Sequence, residues 1–273
     1  MFFTLPYEIQ EMIMQYTTFY DCINNGYTRI AKKLYYPEYC HLAILNKDYK
    51  LLYLLDKYRM FNGLDNFVVH LAINSYNVDI VSLIYKNFPT FFTGQYLDIA
   101  ASNGCLDIVK FLHKYIKGST DAMDCASMNG HYETLIWLFH NGYECTAYAF
   151  EYATKYNHLD IVKWLHRNKR PYTRNCIDNA VKYGHLDLLK WLHKHKPEED
   201  CSSDSINQAI MLGNSNTVIW MFENRYNDID VMDAVIYAIK YDKEVILDYI
   251  CNFIVEKTEN KINNKQHRRE HTI

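Results

Sequence analysis

Hydrophobic positions along this chain recur in a fixed order. Three stretches show it most plainly: Gly104-Cys-Leu-Asp-Ile-Val-Lys-Phe-Leu-His, Asn157-His-Leu-Asp-Ile-Val-Lys-Trp-Leu-His and Gly184-His-Leu-Asp-Leu-Leu-Lys-Trp-Leu-His. An alanine lies four residues before each. Taken as an anchor, it marks eight copies, at Ala43, Ala72, Ala100, Ala126, Ala153, Ala180, Ala209 and Ala238, spaced by 29, 28, 26, 27, 27, 29 and 29 residues. Self-similarity at such a period is the signature of an array of repeats, each of which buries its apolar side only against its neighbours.

Apolar columns support the register. Three residues before the anchor stand Cys40, Val69, Leu97, Met123, Phe150, Ile177, Ile206 and Val235. Nine after it stand Leu52, Val81, Val109, Leu135, Val162, Leu189, Val218 and Leu247; twelve after it stand Leu55, Ile84, Leu112, Leu138, Leu165, Leu192, Met221 and Ile250. The four tryptophans of the chain, Trp137, Trp164, Trp191 and Trp220, all fall eleven residues after an anchor.

The pattern predicts two helices per repeat. Helix A covers about ten residues around the anchor, where alanine lets two helix backbones approach closely. A turn follows, with Gly104, Gly130, Gly184 and Gly213 four residues after the anchor, where glycine accepts the left-handed conformation that ends a helix. Asn157 and Asp242 tolerate it too, whereas Lys47 and Tyr76 fit less well and leave the first two turns unassigned. Helix B then places offsets 8, 9, 11 and 12 on one face, with Lys110, Lys163 and Lys190 pointing away. Neither helix is long enough to be stable alone, so stacking supplies the core. Repeat eight is degenerate, as an end repeat should be.

The Ala-x-x-x-Gly-His-Leu-Asp-Ile-Val-Lys-Trp-Leu pattern resembles the second half of the ankyrin repeat. Ala153, His158, Ile161, Val162 and Leu165 match it, as do Ala180, Gly184, His185, Leu188, Leu189 and Leu192. The resemblance covers roughly residues 35–258. The ankyrin period is usually about 33 residues, and Cys176-Ile177-Asp178 stands where that family has Pro-Leu-His. The missing residues belong to the β-hairpin between repeats. The resemblance therefore implies an all-α, ankyrin-like helix-turn-helix repeat solenoid with trimmed inter-repeat hairpins. This short form is similar to the ankyrin-repeat proteins of large amoeba-infecting DNA viruses and some amoebae.

Three segments are expected: residues 1–34, a helical cap or F-box-like segment; 35–258, the eight repeats; and 259–273, a polar tail that is unstructured or a fraying helix end. Thr4-Leu5-Pro6-Tyr7-Glu8-Ile9 followed by Ile13 resembles the start of an F-box; a capping helix over repeat one is the alternative reading.

Composition narrows the function. The net charge of -3 gives no bulk attraction for nucleic acid. No run of about 18 apolar residues would cross a membrane, and Met1-Phe-Phe-Thr-Leu-Pro lacks the basic and apolar regions of a secretory signal. Eight scattered cysteines, none in a C-x-x-C pair, read as reduced thiols of a cytoplasmic or nuclear protein. No Walker loop, dinucleotide fingerprint, zinc-protease motif or nucleophile elbow occurs, so no enzyme, cofactor or metal site is expected.

Repeated polar residues have structural readings. His131, His158 and His185 follow the turn, where the resemblance implies hydrogen bonds to the backbone between repeats; His113, His166 and His193 end helix B without ligand partners at metal spacing. The tryptophan column suits packing between repeats, and Asp107, Asp160 and Asp187 suit the helix B dipole. The candidate site lies two and three residues after the anchor, at Lys155, Tyr156, Lys182, Tyr183, Lys240 and Tyr241. Tyrosine offers large contact area at low entropic cost. The expected function is a protein-protein interaction scaffold; the alternative is a substrate-recruiting ubiquitin-ligase subunit whose N-terminal segment docks the ligase adaptor.

Overall fold

The computed structural model describes residues 7–196 and 200–270. Among them the chain is helical throughout, without a β-strand. It divides into two compact units, residues 1–144 and 145–273.

The first unit opens with α1 (Tyr7–Asn24) and α2 (Thr28–Leu34), followed by four helix A/helix B pairs: α3 (Glu38–Leu45) with α4 (Tyr49–Lys57), α5 (Phe67–Asn74) with α6 (Val78–Asn87), α7 (Gly94–Ser102) with α8 (Leu106–His113), and α9 (Asp121–Met128) with α10 (Tyr132–His140). The second holds α11 (Ala147–Lys155) with α12 (Leu159–Arg167), α13 (Asn175–Lys182) with α14 (Leu186–His195), α15 (Ser203–Leu212) with α16 (Ser215–Asn224), and α17 (Val231–Lys240) with α18 (Glu244–Glu270). Among the described residues the trimmed hairpins are loops, two of them tightened into 3-10 turns at Pro89–Phe91 and Tyr226–Asp228. The last helix runs to Glu270, through most of the polar tail segment.

The anchor alanines lie in the core: all eight are fully buried. The column three residues earlier and the column nine residues later are buried in repeats one to seven, and the column at twelve is buried in all eight. Helices A stack on helices A, α3 on α5, α5 on α7 and α7 on α9 in the first unit, α11 on α13, α13 on α15 and α15 on α17 in the second. A larger side chain at the anchor would have to displace a neighbouring helix.

The turn after helix A is one device used eight times. The residue four after the anchor has positive φ in every repeat, including Asn157 at 64° and Asp242 at 55°. Lys47 (53°) and Tyr76 (59°), which sequence chemistry had left unassigned, adopt it as well. In every repeat but the second the anchor carbonyl accepts the N–H five residues on, as from His185 to Ala180 at 2.9 Å and from Asp48 to Ala43 at 2.8 Å; in repeat two the Ser75 hydroxyl takes the Asn77 N–H instead. The carbonyl after the anchor accepts the N–H of the left-handed residue, as from Gly184 to Val181 at 3.2 Å. This paired closure satisfies carbonyls that a helix end leaves open. At two turns a side chain would also meet a neighbour. A Cβ on Gly104 would lie 2.4 Å from the ring of His131, and one on Gly184 would lie 2.6 Å from the side chain of Asn214.

Helices B are joined by an aromatic ladder. The residue thirteen after one anchor meets, edge to face, the residue eleven after the next. The pairs are Tyr85–Phe111 (5.8 Å between ring centroids), His113–Trp137 (5.2 Å), His166–Trp191 (5.2 Å), His193–Trp220 (5.3 Å) and Phe222–Tyr249 (6.2 Å). Such pairs prefer this perpendicular arrangement because the ring edge is positive and its face negative. Trp137, Trp191 and Trp220 and the helix B histidines His113, His166 and His193 are thus two halves of one packing contact.

Candidate functional site

Helix A ends where the left-handed turn begins, so the residues two and three after the anchor stand at its rim. The first of the pair is the last helical residue and the second its C-cap, as Lys155 and Tyr156 are for α11 and Lys182 and Tyr183 for α13. Their side chains lie off the buried columns. Tyr156 is 48% exposed, Lys240 is exposed, and Lys155, Lys182, Tyr183 and Tyr241 are half-buried.

Each lysine lies over its neighbouring tyrosine. The distances from Nζ to the ring centroid are 5.3 Å for Lys155–Tyr156, 5.1 Å for Lys182–Tyr183 and 5.3 Å for Lys240–Tyr241. Lys155 also lies 5.9 Å from the ring of Tyr183, so the pairs of repeats five and six form one contiguous strip. The ring of Tyr183 stacks on His185, whose Nε2 contacts the carbonyl oxygen of Lys155 at 2.9 Å. This last contact is the bond between repeats that the resemblance implied for the turn histidines. Asn214, in the same column one repeat later, donates to the carbonyl of Lys182 at 2.7 Å. None of the three lysines forms an ion pair among the described residues. Cations held over rings and left without a carboxylate suit a partner that brings negative charge.

Repeat seven interrupts this chemistry. Met211 and Leu212 occupy the same two positions, with Leu212 51% exposed. Lys240 and Tyr241 therefore belong to the same columns as the strip without touching the pair of repeat six. Lys240 instead lies 5.9 Å from the ring of Tyr237 on its own helix.

The sequence reading missed one column, two residues before the anchor. There, in repeats three, five and six, a carboxylate secures the loop to the next repeat. Asp98 accepts from the backbone N–H and hydroxyl of Ser119, both at 2.9 Å. Glu151 accepts from the Thr173 hydroxyl, and Asp178 accepts from the Ser202 N–H at 2.6 Å. The signal was present as Asp98, Asp124, Glu151 and Asp178 at the same offset, with Ser or Thr some 21 to 24 residues on. These carboxylates face loops of their own chain and are thereby withdrawn from the lysine strip.

Family models for ankyrin repeats match two overlapping stretches, three copies over residues 122–204 and the many-copy form over residues 97–139. Residues 97–204 carry ankyrin repeats. No curated protein matches the chain. The matched ankyrin repeats are the third to the sixth, and the strip formed by Lys155, Tyr156, Lys182 and Tyr183 lies within them. Repeats one, two, seven and eight share their helix pairs and left-handed turns, so the fold is an all-α, ankyrin-like one throughout the described repeats.

All eight cysteines are free thiols. Burial pushes the thiols of Cys40 and Cys201 up to about 12 and that of Cys176 up to about 11, which makes them poor nucleophiles. His166 is shifted the other way: burial, then the neighbouring His195 and Lys196, hold its pKa below the usual imidazole value. No group of three metal-binding side chains converges among the described residues, and no helix there is long and apolar enough to cross a membrane. The F-box-like stretch Thr4–Pro6 lies outside the described residues, as do the side chains of Tyr7, Glu8, Ile9 and Ile13.

Proposed function

We propose that this chain is a non-enzymatic protein-binding scaffold that grips an acidic segment of its partner on the lysine-tyrosine strip of repeats five and six. The observation that carries this reading is the pair of unneutralised lysines over tyrosine rings, contiguous across two repeats. Repeat stacking offers an extended surface on which a few anchors supply most of the affinity. Tyr156 and Tyr183 would supply apolar contact, and Lys155 and Lys182 would meet carboxylates; Lys240 and Tyr241 would extend the same preference at repeat eight. The free thiols and the lack of paired cysteine spacings fit a cytoplasmic or nuclear setting. The 26–29 residue period fits the short ankyrin repeats of large amoeba-infecting viruses and amoebae.

The test is selection from a displayed peptide library, followed by calorimetric titration of the selected peptides. Enrichment of acidic peptides with an aromatic or aliphatic anchor is expected, with affinity falling as salt rises. Replacing both Tyr156 and Tyr183 by alanine should weaken binding by about 2 kcal/mol or more. Equal affinities for wild type and variant would place the binding surface elsewhere. The ubiquitin-ligase reading rests on Thr4–Ile9 and Ile13 alone. Titrating the full chain with a ligase adaptor tests it, and lack of binding removes it.

A further inference from the structure

The aromatic ladder breaks at the seam between repeats one and two. Repeats three to eight carry an aromatic residue eleven after the anchor, tryptophan in repeats four to seven. Repeats two to seven carry His, Phe or Tyr thirteen after it. Repeat two has Leu83 at the first position and repeat one has Asp56 at the second, so this seam lacks both rings. Asp56 turns instead to the C-terminal end of α6, where it accepts from Lys86 Nζ at 2.8 Å and from Asn87 Nδ2 at 3.0 Å. What remains between α4 and α6 is a groove of about 430 Å³. Its floor is formed by Leu52 and Ile80, both buried, with Leu83 half-buried beside them. Tyr49 and Tyr53 stand along its α4 side, Tyr53 being 62% exposed. One end is fixed by the Tyr49 hydroxyl, which accepts from Asn77 Nδ2 at 3.1 Å, and the other by Lys86 in its ion pair with Asp56.

The groove lies where a ladder ring of repeat two would stand. Helical side chains lean towards the N-terminus of their own helix, so a ring eleven after the anchor covers the turn that holds offsets seven and eight. In repeat two those offsets are Asp79 and Ile80, and both line the groove. Repeat two keeps the aspartate that precedes the ring by one turn, as Asp160 precedes Trp164 and Asp187 precedes Trp191, but replaces the ring by leucine. We infer that this groove docks a tryptophan side chain of a partner protein, which supplies the indole that repeat two lacks. The occupant is read from the chain's own usage, since four of the six ring-bearing repeats fill this position with tryptophan. Tyr49 and Tyr53 offer ring surface for edge-to-face contact. Asp79 is exposed and forms no ion pair among the described residues, so its carboxylate can accept the indole N–H. An aromatic side chain seated on a buried apolar floor is a common anchor of protein interfaces. The site lies between helices B of the first unit and does not rest on the lysine-tyrosine strip.

Titration of the full 273-residue chain with 5-fluoroindole, followed by fluorine NMR, tests it. A Kd of about millimolar is expected for so small a probe, and an equal concentration of cyclohexanol should not displace it. Leu83→Trp fills the groove from within and should weaken 5-fluoroindole binding at least about tenfold. Tyr53→Ser removes an exposed wall and should weaken it about threefold or more with melting unchanged; it makes the comparison should Leu83→Trp fail to fold. Tyr156→Ala with Tyr183→Ala should leave the titration as it is. Displayed peptides that bind wild type but not Leu83→Trp should carry tryptophan, and replacing that tryptophan by alanine should remove their binding. No binding of 5-fluoroindole, equal binding by both groove variants, or displacement by cyclohexanol overturns the inference. So does 5-fluoroindole binding without tryptophan in the selected peptides, which would make the groove a site for free aromatic compounds.

Discussion

The helix A rims of the two units share one backbone position and use it for different ends. In repeats two to four of the first unit the paired positions two and three after the anchor hold Asn74 and Ser75, Ser102 and Asn103, and Met128 and Asn129, while repeat one has Leu45 and Asn46 there. These side chains bond to one another along the stack. Asn103 donates to the Asn74 side-chain oxygen at 3.0 Å, and Asn129 donates to the Ser102 carbonyl at 2.8 Å and hydroxyl at 3.0 Å. In repeats five, six and eight of the second unit the same positions carry Lys155 and Tyr156, Lys182 and Tyr183, and Lys240 and Tyr241, with the lysine Nζ over the tyrosine ring. The backbone there is held instead by His185 and Asn214 from the following turn. With the structural bond moved from the rim to the turn column, the rim of repeats five and six carries lysine-tyrosine pairs instead of a hydrogen-bonded stack.

The largest expected effect tests what the units share. Replacing Trp137 in the first unit or Trp191 in the second by alanine should each cost about 3 kcal/mol, because each removes a packed indole and its edge-to-face histidine partner. Denaturant melts of both variants check this; a large cost in one unit only would mean that the ladder does not serve both alike.

A second test exchanges the rim chemistry. Lys155→Ser, Tyr156→Asn, Lys182→Ser and Tyr183→Asn together give the second unit the rim residues of the first. Peptide binding should fall by about 2 kcal/mol or more, while stability moves far less, since surface substitutions seldom exceed about 0.5 kcal/mol each. Calorimetric titration beside the melting curves separates the two quantities. A stability loss as large as the binding loss would make the strip structural.

A smaller effect is expected at the turns. Tyr76 holds a left-handed φ of 59° where Gly104, Gly130, Gly184 and Gly213 stand in other repeats. Tyr76→Gly should stabilise the first unit by about 1 kcal/mol by removing the strain of a side chain in that region. An unchanged or lower melting temperature would show that Tyr76 repays its strain through contacts.

The smallest effect is one of pH. Burial, with His195 and Lys196 nearby, lowers the pKa of His166 in the folded chain. The unfolded state then binds the proton more readily, so stability is full above the ordinary imidazole pKa near 6.5 and declines as pH falls from there towards the lowered folded value. Melting curves across this range should show a shallower decline for His166→Phe than for wild type, and parallel curves would remove His166 as a contributor.

The sequence by itself determined the repeat. Burial of one alanine and of the columns at offsets of three, nine and twelve residues follows from helical geometry within a single repeat. The glycine turns were legible for the same local reason, since few other residues enter the left-handed region easily. Tertiary structure alone decided how repeats meet. Lys47 is left-handed within the paired closure of its turn, and Tyr76 within a turn closed by its own N–H on Ile73 and by Asn77 N–H on the Ser75 hydroxyl, whatever their preference. His113, His166 and His193 acquire their role from an indole 24 to 27 residues later, and Glu151 and Asp178 acquire theirs from a loop 22 and 24 residues later. That the lysine-tyrosine pairs of repeats five and six join while that of repeat eight stands apart also depends on which residues repeat seven places between them. Patterns within a repeat obey the fixed period of one helix; contacts between repeats depend on the stacking of helices far apart in the chain, where His, Phe and Tyr fill the same place in the ladder.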